Sequence, residues 1–461
     1  MIVSSNRILA KTLCMIAGMC LAPLATQAQA IWLPGSDPVN IARSGVGVAF
    51  GRSLEAGSLN PALLVTLQSP RSAYLSTGME MQATPHTMSS NERVLYTDDR
   101  NRFLPAFGAG WRITPKVAFG VKVDMPFLRH SETPMESSSR FFGQAIDLSS
   151  IRAEFQAAYA INEAVSIGIS AGITRLDYAS ALSLRALVPS MADLPASDSN
   201  PAEALLETTV RQEGGVSAFS FGVGFRYAVS SRWTVGGSFH SGIKGRPDLS
   251  ASFAPRGLDI YDTIRDDIPP PIGIEEQARA VLNAMTVQPG AGDLALPYRI
   301  QVGVRHRFNQ LMTWEVDLRY IGSSSMKMPT QPWINTPSGP VSTLPRPYEF
   351  KSGLAVSGMM EINLTRDWIV RSGISLEPEL NKGGEVDAVL GGAKSAAFSI
   401  GVGHQIFGGE LNAGYQYRQA IDSEINGLEG KWNVTGLRAT GTLTRVEGMG
   451  HILSIGFKRS F

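Results

Sequence analysis

The chain has 461 residues, with 41 Lys and Arg against 40 Asp and Glu. That near-zero balance argues against a nucleic-acid-binding protein. Its two cysteines, Cys14 and Cys20, both fall in the first thirty residues, which excludes a disulfide scaffold or a thiolate metal site in the remainder.

Residues 1–30 read as an export leader. Arg7 and Lys11 give a positive start, Leu13–Leu24 an apolar core broken by Pro23, and Ala28-Gln29-Ala30 a small-x-small cleavage signal. Met19 before Cys20 does not suit a lipoprotein. The mature chain is expected to begin at Ile31 and to carry no cofactor.

Residues 31–69 do not alternate. They are rich in Gly, Ser and small apolar side chains and contain Pro34, Pro38 and Pro61. The stretch is too apolar for a disordered linker, and it reads as a compact N-terminal plug lying inside the rest. Its most specific string is Ser44-Gly45-Val46-Gly47-Val48-Ala49, followed by Asn60-Pro61-Ala62. The glycines permit tight turns and close approach to a wall, and Pro61 biases Asn60 towards an extended conformation.

Residues 70–461 alternate with a period of two. Short joints fall at Thr114-Pro115, Asn162-Glu163, Ser230-Ser231, Asn309-Gln310, Thr365-Arg366 and Gly408-Gly409, with long joints between them. Thirteen connections predict fourteen strands. The hairpin Tyr298–Gly322 shows the pattern best: Ile300, Val302, Val304, Val316 and Leu318 alternate with Arg299, Gln301, Arg305, Glu315 and Asp317. One greasy and one charged face, over arms of about ten residues, suit strands that cross a membrane. No apolar run is long enough for a transmembrane helix. The fold class is therefore all-β, a fourteen-stranded antiparallel transmembrane barrel of a Gram-negative outer membrane, with short turns in the periplasm and long loops outside. The last strand ends on Phe461, which resembles the signal read by the barrel-assembly machinery.

Two long joints carry helix-like apolar stripes, one with Leu205 and Leu206, the other with Ile274, Val281, Leu282 and Met285. These suit a protein that receives greasy molecules, or they simply pack the loops together. The inward charges are expected to pair with one another, Arg305 with Asp317 or Glu315 among them. No catalytic site is expected: His240 and Ser241 are adjacent strand residues and point to opposite faces. The histidines show no metal-ligand spacing.

The leader, the Ser-Gly-x-Gly-x-Ala string, Asn60-Pro61-Ala62, fourteen amphipathic strands and a terminal Phe together resemble the FadL-type outer-membrane transporters of long-chain fatty acids and hydrocarbons. The resemblance implies that residues 31–69 form a hatch, with Ser44, Gly45, Gly47, Asn60, Pro61 and Ala62 at its gate. It also implies an inward kink in the third strand, here Lys116–Phe127, at Asp124, Pro126 and Phe127. Pro126 cannot donate to a ladder. The apolar loop residues above would form an outer groove, and the protein would work as a single barrel, not as an enzyme. The expected function is passive uptake of hydrophobic molecules with release sideways into outer-membrane lipid. The rival is a general hydrophilic diffusion porin.

Overall fold

A computed structural model of the chain describes residues 33, 35–51, 54–83, 86–88, 102–132, 144–185, 207–255, 283–330, 332–336, 339–342, 349–380, 394–421, 424–429, 442–446 and 449–461. The leader lies outside the described residues. Fourteen antiparallel strands close on themselves. They are β1 (Arg71–Ala83), β2 (Arg102–Phe103 and Ala106–Thr114), β3 (Val117–Asp124 and Leu128–Glu132), β4 (Ala145–Ala160) and β5 (Val165–Arg185). Next come β6 (Glu207–Ala228), β7 (Trp233–His240, Ile243–Gly245 and Asp248–Pro255), β8 (Tyr298–Arg307) and β9 (Met312–Gly322). The set ends with β10 (Gly353–Asn363), β11 (Trp368–Glu377), β12 (Ser395–Ile406), β13 (Gly409–Ala420) and β14 (Met449–Ser460). The seam between β1 and β14 runs from Ser72↔Ser460 to Ala83↔Met449.

The period of two sorts the side chains as expected. In β8 and β9, Tyr298 pairs with Gly322 through to Arg307 with Thr313. Ile300, Val302, Val304, Val316 and Leu318 are exposed on the outside, whereas Arg299, Gln301, Glu315, Asp317 and Arg319 are buried within. β5 and β6 have 21 and 22 residues, far more than the roughly 9–11 that cross a bilayer. Their outward residues change from Ile167, Ile169 and Ile173 to Arg175 and Asp177, and from Phe225, Phe221 and Phe219 to Glu213 and Arg211. The wall therefore stands above the lipid on the long-loop side.

Five of the six short turns repeat one piece of chemistry. A polar side chain accepts from the amides two and three residues on: Thr114 from Lys116 and Val117, Asn162 from Ala164 and Val165, Ser230 from Arg232 and Trp233. Asn309 and Thr365 do the same. These are side-chain mimics of a backbone turn. The sixth turn uses Phe407 at φ 53 and Gly408 at φ 69.

Two strands differ from the expected boundaries. β3 was expected to end at Phe127 but resumes over Leu128–Glu132 with its register to β4 shifted by one residue. β7 likewise resumes at Asp248–Pro255 after leaving β6 near Gly242. In each case a proline, Pro126 or Pro247, removes a ladder donor and the strand bulges rather than stops.

Candidate functional site

The N-terminal segment is held in the lumen by its own backbone. A short helix α1 (Pro38–Ala42) starts at Asp37, whose carboxylate accepts from the Asn40 amide at 2.9 Å. Ser44 and Gly45 then turn the chain through left-handed φ values of 54° and 73°. The turn brings three consecutive amides to the wall: Gly47 and Val48 donate to Asp317 Oδ2 at 3.0 and 3.3 Å, and Ala49 donates to Glu315 Oε1 at 2.7 Å. Ser44 Oγ lies 2.7 Å from Ser399 Oγ on β12. Asn60 caps the turn Pro61–Thr66 by accepting from Ala62 at 3.0 Å, while its Nδ2 donates to the carbonyls of Val48 at 2.7 Å and Phe225 at 2.8 Å. The wall leaves room for this backbone: a Cβ at Gly168 would strike Pro61 and Ala62, and one at Gly236 would strike Val48 and Ala49.

Ion pairs fasten the same segment. Arg43 reaches Glu361 at 2.5 Å, Glu361 and Glu410 both meet Arg371 at 2.9 Å, and Lys458 meets Glu410 at 2.9 Å. A second group joins Lys122 and Arg152 to Asp124 and Glu154. The carboxylates of Glu315 and Asp317 are turned to the plug amides. Arg305, opposite Glu315 in the ladder, has its guanidinium 4.2 Å from the centre of the Phe50 ring, a cation–π contact.

The wall is incomplete beside this segment. β2 and β3 pair from Thr114↔Val117 to Phe107↔Val123 and then part. Continuing that register sets Pro105 against Met125 and Leu104 against Pro126. Leu104 exchanges its amide and carbonyl with Gly78 of β1, so Pro105 is the residue that faces β3 without an N–H, while Pro126 lacks the donor that would face β4. Beyond the break Leu128, Arg129, His130 and Ser131 are all buried. Neither face of that stretch meets lipid. The plug takes up the orphaned backbone groups: Ser36 Oγ accepts from the Met125 amide and donates to its carbonyl, each at 3.1 Å, and Leu33 N donates to the Pro126 carbonyl at 3.1 Å.

Two apolar clusters meet at this point. Phe127 belongs to one with Ile146, Leu148, Leu176, Tyr178 and Leu294, which lies towards the long loops. Leu128 belongs to another with Leu33, Ile41, Leu104 and Ile452, which fills the inner mouth of the gap. Across the outer side Arg102 of β2 passes over the kinked stretch to pair with Asp147 of β4, with His130 Nδ1 3.0 Å from Arg102 Nη2. A cleft of about 680 Å³ beside it is lined by Arg102, Asp147, Arg175, Asp177, Glu213 and Asp248 among others. Its charged lining suits water better than an apolar solute.

Of the residues singled out in the sequence, Ser44, Gly45, Gly47, Asn60, Pro61 and Ala62 sit between plug and wall. Asp124 turns into the ion-pair group, and Phe127 into the apolar cluster. Met285 is buried beside the short strand Thr286–Gln288, whereas Leu205, Leu206, Ile274, Val281 and Leu282 lie outside the described residues. His240 and Ser241 serve different partners: Nε2 of His240 donates to the Leu59 carbonyl at 3.0 Å, and Ser241 Oγ accepts from Phe221 N at 2.9 Å. Sequence reasoning missed Ser36, Arg43, Arg102 and Pro105. Only Pro105 had a legible signal, a proline inside an alternating run.

A family model described as "Outer membrane protein transport protein (OMPP1/FadL/TodX)" matches residues 20–461. Among solved structures, a Pseudomonas aeruginosa FadL homologue superposes with a TM-score of 0.71 at 14% identity, covering 95% of this chain and 100% of that one. The P. putida toluene transporter TodX gives 0.62 at 14% identity, covering 93% and 99%. The Ralstonia pickettii toluene transporter TbuX gives 0.59 at 16%, covering 93% and 99%. At these identities the likeness concerns the fold. No individually curated protein matches the sequence.

Proposed function

The chain belongs to the outer membrane protein transport family (OMPP1/FadL/TodX) and is an outer-membrane transporter of hydrophobic compounds; from that premise we propose the route its cargo takes. An apolar solute enters from the long-loop side and settles in the cluster around Phe127, Leu148, Leu176 and Tyr178. Burial there is worth about 0.8 kcal/mol per methylene, and the solute moves down its own gradient, so no energy source is required. Withdrawal of Leu33 and Ser36 frees the kinked stretch, joins the two apolar clusters and lets the solute leave through the gap between β2 and β3 into lipid. The protein works without catalysis in this reading, and the segment from residue 31 to residue 69 acts as the hatch.

The observation that carries the route is the partition at Phe127 and Leu128, whose side chains face the two clusters while the plug clips the backbone just before them. A hydrophilic diffusion porin finds no support, since Asn40, Val46, Val48 and Asn60 are wholly buried between plug and wall.

The route is tested by tying the plug to the kink with a disulfide between Ser36→Cys and Met125→Cys. Cells expressing the full chain should lose uptake of a fluorescent long-chain acid and of labelled toluene, and regain it on adding a reductant. Uptake at the unmodified rate with the disulfide formed overturns the route.

A further inference from the structure

The short-turn rim has a composition that transport does not explain. Each of its six turns is entered by a large exposed apolar residue: Ile113, Ile161, Val229, Phe308, Leu364 and Phe407. The polar cap that follows in five of them pins the chain so that this side chain stays outside the hydrogen-bonded turn. Trp111, Trp233, Trp314 and Trp368 lie within a few residues of these turns, with Trp233 and Trp314 in edge-to-face contact at 5.8 Å. Aromatic rings of this kind mark the interface between acyl chains and headgroups. The charged residues beside them are therefore at headgroup level.

Those charges have one dominant sign. Arg71, Lys116, Arg232, Arg366 and Arg459 are exposed at the rim, against Glu163 and Asp367. This gives a net charge of +3 from seven groups, while the whole chain of 461 residues carries +1. Arg71 and Arg459 stand together at the seam: Arg71 and Phe461 exchange backbone hydrogen bonds at 2.8 and 3.3 Å, and Ala73 pairs with Arg459. The Arg459 guanidinium lies 5.0 Å from the centre of the Phe461 ring, and Arg71 pairs with Trp111 on the other side. Two guanidinium groups flanked by aromatic rings match a phosphate whose acyl chains continue down the wall.

We propose that the short-turn rim is a collar for anionic phospholipid headgroups of the inner leaflet, with its strongest position at Arg71 and Arg459. The apolar anchors recur at every turn, so the partner surrounds the cylinder. A leaflet does that, and a docked protein would cover one arc. This inference stands apart from the cargo route, and uptake can fail or succeed without touching it.

Brominated lipids quench the rim tryptophans on contact and report which lipid occupies the rim. The full chain is reconstituted in vesicles of brominated phosphatidylglycerol or brominated phosphatidylcholine, mixed with unbrominated lipid. At low salt the phosphatidylglycerol should bind about fivefold more tightly for a position holding one basic residue. The preference should fall towards one in high salt and in the variant R71Q/R232Q/R366Q/R459Q, and should persist in the corresponding Lys variant. If the Gln variant fails to fold, as judged by loss of heat-modifiable mobility, the salt series on the unmodified chain decides. Equal binding of the two lipids at low salt, or a preference unchanged in the folded Gln variant, overturns the collar.

Discussion

Asn60 meets the wall at Phe225: its Nδ2 donates to the Phe225 carbonyl over 2.8 Å while also holding the Val48 carbonyl at 2.7 Å. One side chain thus ties the glycine string to the Asn-Pro-Ala turn, and both to β6. The same residue accepts from Ala62 N through Oδ1, so it has no rotamer freedom to lose without breaking three bonds.

Asn60→Ala should detach this corner. It strands the buried Val48 carbonyl, takes a second donor from the Phe225 carbonyl (whose ladder partner is Gly237) and removes a cap, a loss of roughly 2–4 kcal/mol in local stability. Hydrogen exchange should rise in the stretch from residue 45 to residue 66 with the β-strands unchanged. Asn60→Asp should be worse, because it keeps the acceptor for Ala62 but sets a carboxylate against two carbonyls. Exchange in both variants no faster than in the unmodified chain would show that the donors of Nδ2 contribute nothing.

Asp37 gives the plug a pH dependence. Burial, and then the neighbouring Glu55, push its carboxyl up from 3.8 to about 7, and the hydrogen bonds from Asn40, followed by Arg43, offset this only in part. The folded plug therefore holds a proton that the released segment gives up. The stabilisation is complete below about 3.8 and is lost as pH rises to about 7; its span corresponds to roughly 4 kcal/mol. Above that window the curve should flatten. Exchange protection of α1, corrected for intrinsic rates, should fall between those limits, and Asp37→Asn should remove the trend because an amide does not titrate, while its oxygen still caps Asn40. A flat profile in the unmodified chain would exclude Asp37 as the cause.

The Arg102–Asp147 pair bridges the opening from outside, and both side chains are about one-third exposed. Solvent screening limits such a pair to about 1 kcal/mol or less. Arg102→Asp and Asp147→Arg should each speed exit by no more than about fivefold, and the exchanged pair should return the rate to normal. Uptake rates of the four proteins form a double-mutant cycle, and additive effects would mean that the bridge plays no part in closure.

How much of this was legible in the sequence depends on the range of the signal. The hairpin from Tyr298 to Gly322 was readable because a period of two leaves its trace within ten residues. The glycine string was readable as a close-approach element, but its partners Asp317 and Glu315 lie 270 and 266 positions away, and no local pattern names them. Pro126 announced a defect in β3. The return of the strand at Leu128 was hidden, since Arg129, His130 and Ser131 are buried despite their polarity and so break the alternation that marks a strand. The ion pair from Arg43 to Glu361 was foreseen only as a class, inward charges that hold one another.

The opening itself rests on Pro105, which faces the break from β2 without an N–H, and on Pro126, which kinks β3 by denying a donor to β4. Replacing both, Pro105→Val and Pro126→Val, restores one N–H donor where the β2–β3 register of Phe107↔Val123 would continue and another from β3 towards β4. At about 1 kcal/mol per ladder bond, the restored β2–β3 bond should favour closure by about 1 kcal/mol, and uptake should fall by roughly fivefold. Two readouts are needed, because each alone is ambiguous. Exchange protection at the new amides shows whether the ladder has extended, and uptake shows whether the extension matters. Protected amides with undiminished uptake would mean that cargo leaves elsewhere. Unprotected amides would mean that Leu33 and Ser36, inserted at the break, hold the strands apart whether or not the donors are present. In that case the added substitution Ser36→Ala should let the ladder close, since it removes the hydroxyl that competes for Met125.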